Sequence, residues 1–171
     1  LQVLINLEYL REKYLEKNFH NNEELFNFVS TDVIFGFSEI YDILKNDSEI
    51  RSVLEIGSGA GILLNELKKA FPNIDFSGVD PNESGFHRYK EVYESLKKKE
   101  FIIENSQIEK FETTKKFDLV FSINVFEHVR DWKKYIEQTN KLLNKNGKNI
   151  ILAPNYDFPC LLYTSPSPRD W

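Results

Sequence analysis

The chain has no methionine, one cysteine, Cys160, and only three histidines. A single cysteine cannot close an internal disulfide, which excludes a disulfide-stapled scaffold and points to a reducing, cytoplasmic setting. The histidines, His20, His87 and His128, stand apart, and no Cys/His or His/Glu spacing suits a metal site. No apolar run approaches the ~18–20 residues of a membrane-spanning helix. Basic side chains are outnumbered, 22 against 27, for a formal charge of −5, so nothing in the charge balance calls for nucleic acid. What remains is an ordinary globular composition, 41% hydrophobic and 29% charged, over 171 residues that suit one domain.

The ends are unusual. With Leu1 first and no methionine, the chain is expected to be a fragment. Three of the six prolines lie after position 158, in a stretch with neither strand nor helix pattern. Cys160 to Asp170 reads Cys-Leu-Leu-Tyr-Thr-Ser-Pro-Ser-Pro-Arg-Asp, which resembles a one-frame translation of a sequencing adapter; the competing reading is a Ser/Pro-rich linker. Residues 160–171 are therefore expected to be disordered and are set aside from the fold.

Residues 1–49 read as a helical cap. Val3, Leu7, Leu10 and Tyr14 share one helix face, and Val33, Phe37, Ile40 and Leu44 another. Asn21 or Asn22 can cap the second helix, with Glu23 and Glu24 in its first turn, where the dipole favours anions. From residue 50 to 159 strands alternate with helices. Short apolar runs at 52–56, 76–80, 101–103, 117–122 and 149–153 read as buried strands. Between them, one helix carries Leu63 and Leu67, the next Phe86, Tyr89, Tyr93 and Leu96 ahead of the lysine run 97–99, and the last Trp132, Tyr135 and Thr139. Asn146-Gly147 signals the stop of that last helix. Strict alternation predicts an α/β doubly wound parallel sheet with helices on both faces.

In such a sheet ligands bind beyond the carboxyl ends of the strands, beside the first one. Glu55-Ile56-Gly57-Ser58-Gly59-Ala60-Gly61 sits there, between strand and helix. Glycines at this spacing let the backbone turn and approach a ligand closely. Asp80, ending the second strand before Pro81, is placed to accept hydrogen bonds from ribose hydroxyls. A dinucleotide fingerprint would need its third glycine at 62, where Ile62 stands.

The pattern E-x-G-x-G-x-G from Glu55 to Gly61 resembles the first motif of class I S-adenosylmethionine-dependent methyltransferases. Phe117 to Ser122 followed by Val125-Phe126-Glu127-His128-Val129 looks like that family's fourth strand and its "EHV" turn. Lys141 to Gly147 resembles its "R-x-L-K-P-G-G" helix end, with Asn146 in place of proline, and Ala153-Pro154-Asn155 its "T-P-N". The resemblance covers about residues 50–156. It implies a Rossmann-like sheet of order 3-2-1-4-5, with the last two family strands missing, and S-adenosyl-L-methionine as cofactor.

By resemblance, Gly57, Ser58, Gly59, Ala60 and Gly61 cradle the methionine part of that cofactor and Glu55 orients the loop or receives the amino group. Asp80, with Pro81 after it, holds the ribose. Asn105 or Ser106 faces the adenine, and Asn124 lies near the sulfonium. His128 is the one candidate for a proton acceptor, against a role in organising its turn. The expected function is methyl transfer to a small-molecule, lipid-quinone or sugar acceptor. Two alternatives stay open: a nicotinamide oxidoreductase, and a fragment that binds cofactor without turning over.

Overall fold

The structure is a computed structural model that describes residues 5–81, 87–96 and 100–154. Val3, Phe86, the lysine run 97–99, Asn155 and the tail 160–171 lie outside the described residues. Helix α1, Leu7–Leu10, is capped by Asn6, whose side chain accepts from the Tyr9 amide at 2.9 Å. It runs into a π-helical turn, Arg11–Leu15. Helix α2 spans Glu23–Asn46, 24 residues, and Asn22 caps it by accepting from the Leu25 amide at 3.0 Å. Its buried stripe includes the expected Val33, Phe37, Ile40 and Leu44, extended at the amino end by Phe26 and Ser30.

The sheet has five parallel strands in the order β3-β2-β1-β4-β5. They are β1 (Ser52–Ile56), β2 (Asp75–Asp80), β3 (Ile102–Asn105), β4 (Phe117–Ile123) and β5 (Leu143–Leu152). Helices α3 (Ile62–Ala70), α4 (His87–Ser95) and α5 (Trp132–Leu142) make the crossovers. Alternation of side chains along the strands splits the core in two. Val53, Leu119 and Phe121 pack with α2 and α3, whereas Leu54, Ile56 and Val120 pack with Tyr135 and Leu142 of α5. That is why a continuous apolar run, rather than an alternating one, encodes these central strands.

The cap shares the first of these cores. At Gly36 the helix comes so near the sheet that a Cβ would lie 2.2 Å from Ile123 Cδ1 and 2.8 Å from Leu63 Cδ2. A polar network fastens the π-helical turn to α3. Glu66, buried in α3, accepts from Lys69 (2.8 Å), Tyr9 (2.9 Å) and Tyr14, while Asn65 donates to the Tyr14 hydroxyl at 2.7 Å. Burial pushes the Glu66 carboxyl up, but Lys69, Tyr14 and Lys13 together hold it below the usual range.

One boundary differs from the sequence-based expectation. The last helix ends at Leu142, before Asn146-Gly147, and the strand begins at once. Leu143 pairs with Phe117, and the ladder resumes at Lys148 opposite Leu119, so residues 144–147 bulge out. Asn144 donates to Asp118 Oδ1 at 2.6 Å, and a Cβ on Gly147 would lie 2.8 Å from the Phe117 carbonyl oxygen. The glycine signals a close strand approach here, not a helix stop.

Candidate functional site

Beyond β1 the chain folds into a tight loop held by its own backbone. Gly57, Gly59 and Gly61 have φ of 74°, 47° and 71°, the left-handed region that favours glycine. The Gly57 amide donates to the Val79 carbonyl at 2.8 Å, and the Gly59 amide to Asp80 Oδ2 at 2.9 Å. A side chain at 57 has no room, because its Cβ would lie 2.3 Å from Val125 Cγ2; at 59 nothing comes nearer than the Tyr89 ring at 3.4 Å. Helix α3 starts directly after Gly61 without a side-chain cap, leaving its first amides to face the loop.

A half-open cleft runs along this loop. Its floor is Glu55 and residues 57–61, Tyr89 of α4 lies across Gly59, and α2 supplies Phe28, Val29 and Asp32. Glu55 is buried, and among the described residues its Oε2 has no hydrogen-bond partner. Burial, then the negative charges of Asp80 and Asp32, pushes its carboxyl well above the ordinary range. Asp32 is also raised by burial, against a hydrogen bond donated by Asn124 Nδ2 at 2.7 Å. Burial, Asp32 and Asp80 likewise raise the Tyr89 phenol. Asn124 follows β4 at φ 52° and is fixed by its amide, which donates to the Leu152 carbonyl at 2.9 Å.

The sequence-derived site residues fall into two groups. Glu55, Gly57, Ser58, Gly59, Ala60 and Gly61 line the cleft, with Asp80 bonded to the loop and Asn124 bonded to the cleft wall. Asn105 stands opposite Asp80 across the strands, and the Ser106 amide donates to the Asp80 carbonyl at 3.2 Å; neither lines the cleft. Pro81 is exposed beside Asp80. His128 lies on a 3-10 turn, Phe126–His128, with its side chain 54% exposed and outside the cleft lining. Its neighbour Glu127 turns inward, and its Oε2 has no partner among the described residues. Burial raises the Glu127 carboxyl.

Reading the sequence missed Asp32, Phe28 and Tyr89. Phe28, Asp32 and Gly36 recur every fourth residue, a line beside the apolar stripe of α2 that marks the face turned to the cleft.

A family model described as a methyltransferase domain matches residues 54–148, more than half of the chain. The chain belongs to this methyltransferase family. Its members are the class I enzymes that use S-adenosylmethionine, and the sheet order agrees. Among curated relatives, a malonyl-[acyl-carrier protein] O-methyltransferase 2 of Ilyobacter polytropus is 29% identical over 104 residues, covering 61% of this chain and 39% of that protein. A ubiquinone biosynthesis O-methyltransferase of Pelagibacter ubique is 28% identical over 145 residues, covering 81% and 56%. The methyltransferase chain thus spans about two-fifths to just over half of these relatives' length. In fold it is similar to the plantazolicin methyltransferase BpumL, solved with a desmethylPZN analog and SAH, at a TM-score of 0.62 and 19% identity over 94% of this chain and 66% of that one. Streptomyces venezuelae DesVI gives 0.61 at 18% identity, over 80% and 57%.

Proposed function

We propose that this methyltransferase binds S-adenosylmethionine in the cleft between the β1 loop and α2 and methylates an oxygen of a small-molecule, lipid-quinone or sugar acceptor. The carrying observation is Glu55. A buried carboxylate with an orphaned oxygen beside a glycine loop fits an ammonium group, and the cofactor's methionine part carries one. The amides of the first turn of α3, which has no side-chain cap, suit the carboxylate of the same part. Asp80 accepts from ribose hydroxyls, with Asn105 and Ser106 beside it on the adenine side. Ser58 and Ala60 complete the cradle, Tyr89 covers it, and Pro81 follows Asp80 at the exposed rim. His128, exposed and off the cleft, is assigned to organising its turn.

When bound, the cofactor supplies a methyl group already activated on a sulfonium. The protein's part is to hold the acceptor in line and exclude water, an alignment worth about 7–11 kcal/mol. The name O-methyltransferase shared by the two curated relatives supports oxygen as the nucleophile.

Calorimetry with S-adenosylhomocysteine and with NAD tests the reading. Heat is expected from the first alone; heat from NAD and none from S-adenosylhomocysteine would reject it in favour of an oxidoreductase. Asp80→Ala is expected to weaken S-adenosylhomocysteine binding roughly ten- to a hundredfold, since a hydrogen bond to a charged acceptor contributes about 1.5–3 kcal/mol. An unchanged dissociation constant would make Asp80 a support of the loop only.

A further inference from the structure

We propose that Asp32 is the catalytic residue on the acceptor side, taking the proton of a neutral phenolic hydroxyl as that oxygen accepts the methyl group. The inference rests on the cofactor reading above and adds the acceptor's chemistry to it.

Position comes first. The sheet order places β2, β1 and β4 side by side, so three stations follow one another along the carboxyl edge: Asp80 at β2, bonded to the loop, Glu55 and the loop at β1, then Asn124 past β4, bonded to Asp32. A cofactor whose ribose sits at Asp80 and whose ammonium sits at Glu55 has its sulfonium between the two, with the methyl open to the cleft between the loop and α2. Asp32 stands there, on the cleft wall, with Oδ1 occupied by Asn124 at 2.7 Å. An Asn with φ of 52° is costly to hold and aims its amide at one carboxylate oxygen, which fixes the group.

Charge then selects the acceptor. The groups that face Asp32 electrostatically are Glu55 of β1, Tyr89 of α4 and Glu127 of the 3-10 turn, with Asp80 of β2 next along the cleft. Among the described residues no Lys, Arg or His lines the cleft. A carboxylate acceptor would set its charge against that of Asp32, with no cation in the lining to offset it. An amine would be held as ammonium, which has no lone pair to attack with. A neutral hydroxyl suffers neither penalty. A phenol, ionising near pH 10, is within reach of a carboxylate base, whereas an aliphatic alcohol is far weaker as an acid. Phe28, 62% exposed, and Val29 supply an apolar wall for an aromatic carrier.

In the transfer, the acceptor's O–H bond breaks and its proton passes to Asp32. The same oxygen forms the new O–CH3 bond as the methyl carbon leaves sulfur, which becomes a neutral thioether. Asp32 then gives the proton to solvent.

The test compares the protein with Asp32→Asn, which keeps an acceptor for Asn124. S-adenosylhomocysteine binding is measured by calorimetry, and methyl transfer with catechol, 4-nitrocatechol, benzylamine and benzoate. We expect transfer to the two phenols only. Asp32→Asn should still bind S-adenosylhomocysteine measurably and, at saturating cofactor, lose at least about a hundredfold in kcat on catechol. It should lose far less on 4-nitrocatechol, which ionises unaided near neutral pH. Benzoate should bind the S-adenosylhomocysteine complex of the variant and not that of the parent. The proposal is overturned if Asp32→Asn keeps its catechol rate, if both phenols lose equally, if benzylamine or benzoate is the preferred acceptor, or if a protein that binds S-adenosylhomocysteine neither binds nor methylates any phenol. Failure of the parent to bind S-adenosylhomocysteine would instead overturn the cofactor reading.

Discussion

A Gly57→Val protein is expected to melt far below the parent, whereas Gly59→Val should melt only a few degrees lower and yet lose its cofactor. At both positions φ is positive, and forcing a β-branched residue into that region costs about 1–3 kcal/mol. At 57 a second cost is added. The new Cβ would overlap Val125, and overpacking of this kind costs about 1–3 kcal/mol more. Against a total of roughly 5–15 kcal/mol, the sum decides whether the domain folds at all at 37 °C. At 59 the added side chain meets only the Tyr89 ring at ordinary contact distance, so it enters the cleft rather than the core. Thermal unfolding followed by circular dichroism, paired with S-adenosylhomocysteine calorimetry, separates the two. Equal melting temperatures would contradict the packing argument at 57, and normal binding by Gly59→Val would contradict the placement of the ligand.

Glu55→Gln is expected to move stability and binding in opposite directions. The native carboxyl titrates above its unfolded value of about 4.3, because burial and the charges of Asp80 and Asp32 disfavour the ionised form. Between those two values the native state holds a proton that the unfolded chain has lost, so stability falls as pH rises through the window. Asp32 and Glu127, also raised by burial, add slopes of the same sign. The cofactor-free protein should therefore be more stable at pH 5 than at pH 8, and Glu55→Gln should flatten this dependence and melt higher at pH 8. Its affinity for S-adenosylhomocysteine should fall at least thirtyfold, because removing one partner of a buried charge pair costs about 2–5 kcal/mol. A variant that binds normally would show that Glu55 meets no cation, and one whose pH slope matches the parent's would contradict the raised titration of the buried carboxyl.

The central strands and the glycine loop were legible because their signals are local. Buried parallel strands need unbroken apolar runs, and a close ligand approach needs glycines, so 52–56, 117–122 and Gly57 to Gly61 stand out within a few residues of sequence. The N-cap was narrowed to Asn21 or Asn22 for the same reason, and Asn22 fills it. Asp32 was not. Its partner Asn124 lies 92 residues away, and only the docking of α2 onto the end of β4 brings them together. Tyr89 was read as one member of a helix stripe, and nothing local says that this ring also covers Gly59. The junction of α5 and β5 was misplaced because Asn146-Gly147 carries the same local preference whether it stops a helix or lets a bulge pass close to a neighbouring strand.

Gly36 has one more consequence, a mechanical one. As a point where α2 lies against Ile123 of the sheet with no room for a side chain, it is a natural fulcrum for a helix about 36 Å long. Asp32 lies about 6 Å from that point and Glu23 about 20 Å. A tilt of about ten degrees therefore carries the amino end through roughly 3 Å but Asp32 through only about 1 Å. At the carboxyl end Ile40 and Leu44 are buried in the core, and Lys148 adds a pair with Asp47 at 2.6 Å whose lysine is largely exposed, a tie worth no more than about 1 kcal/mol. The lever has unequal arms, so any tilt of α2 would move the entrance about three times as far as the carboxylate beside Asn124.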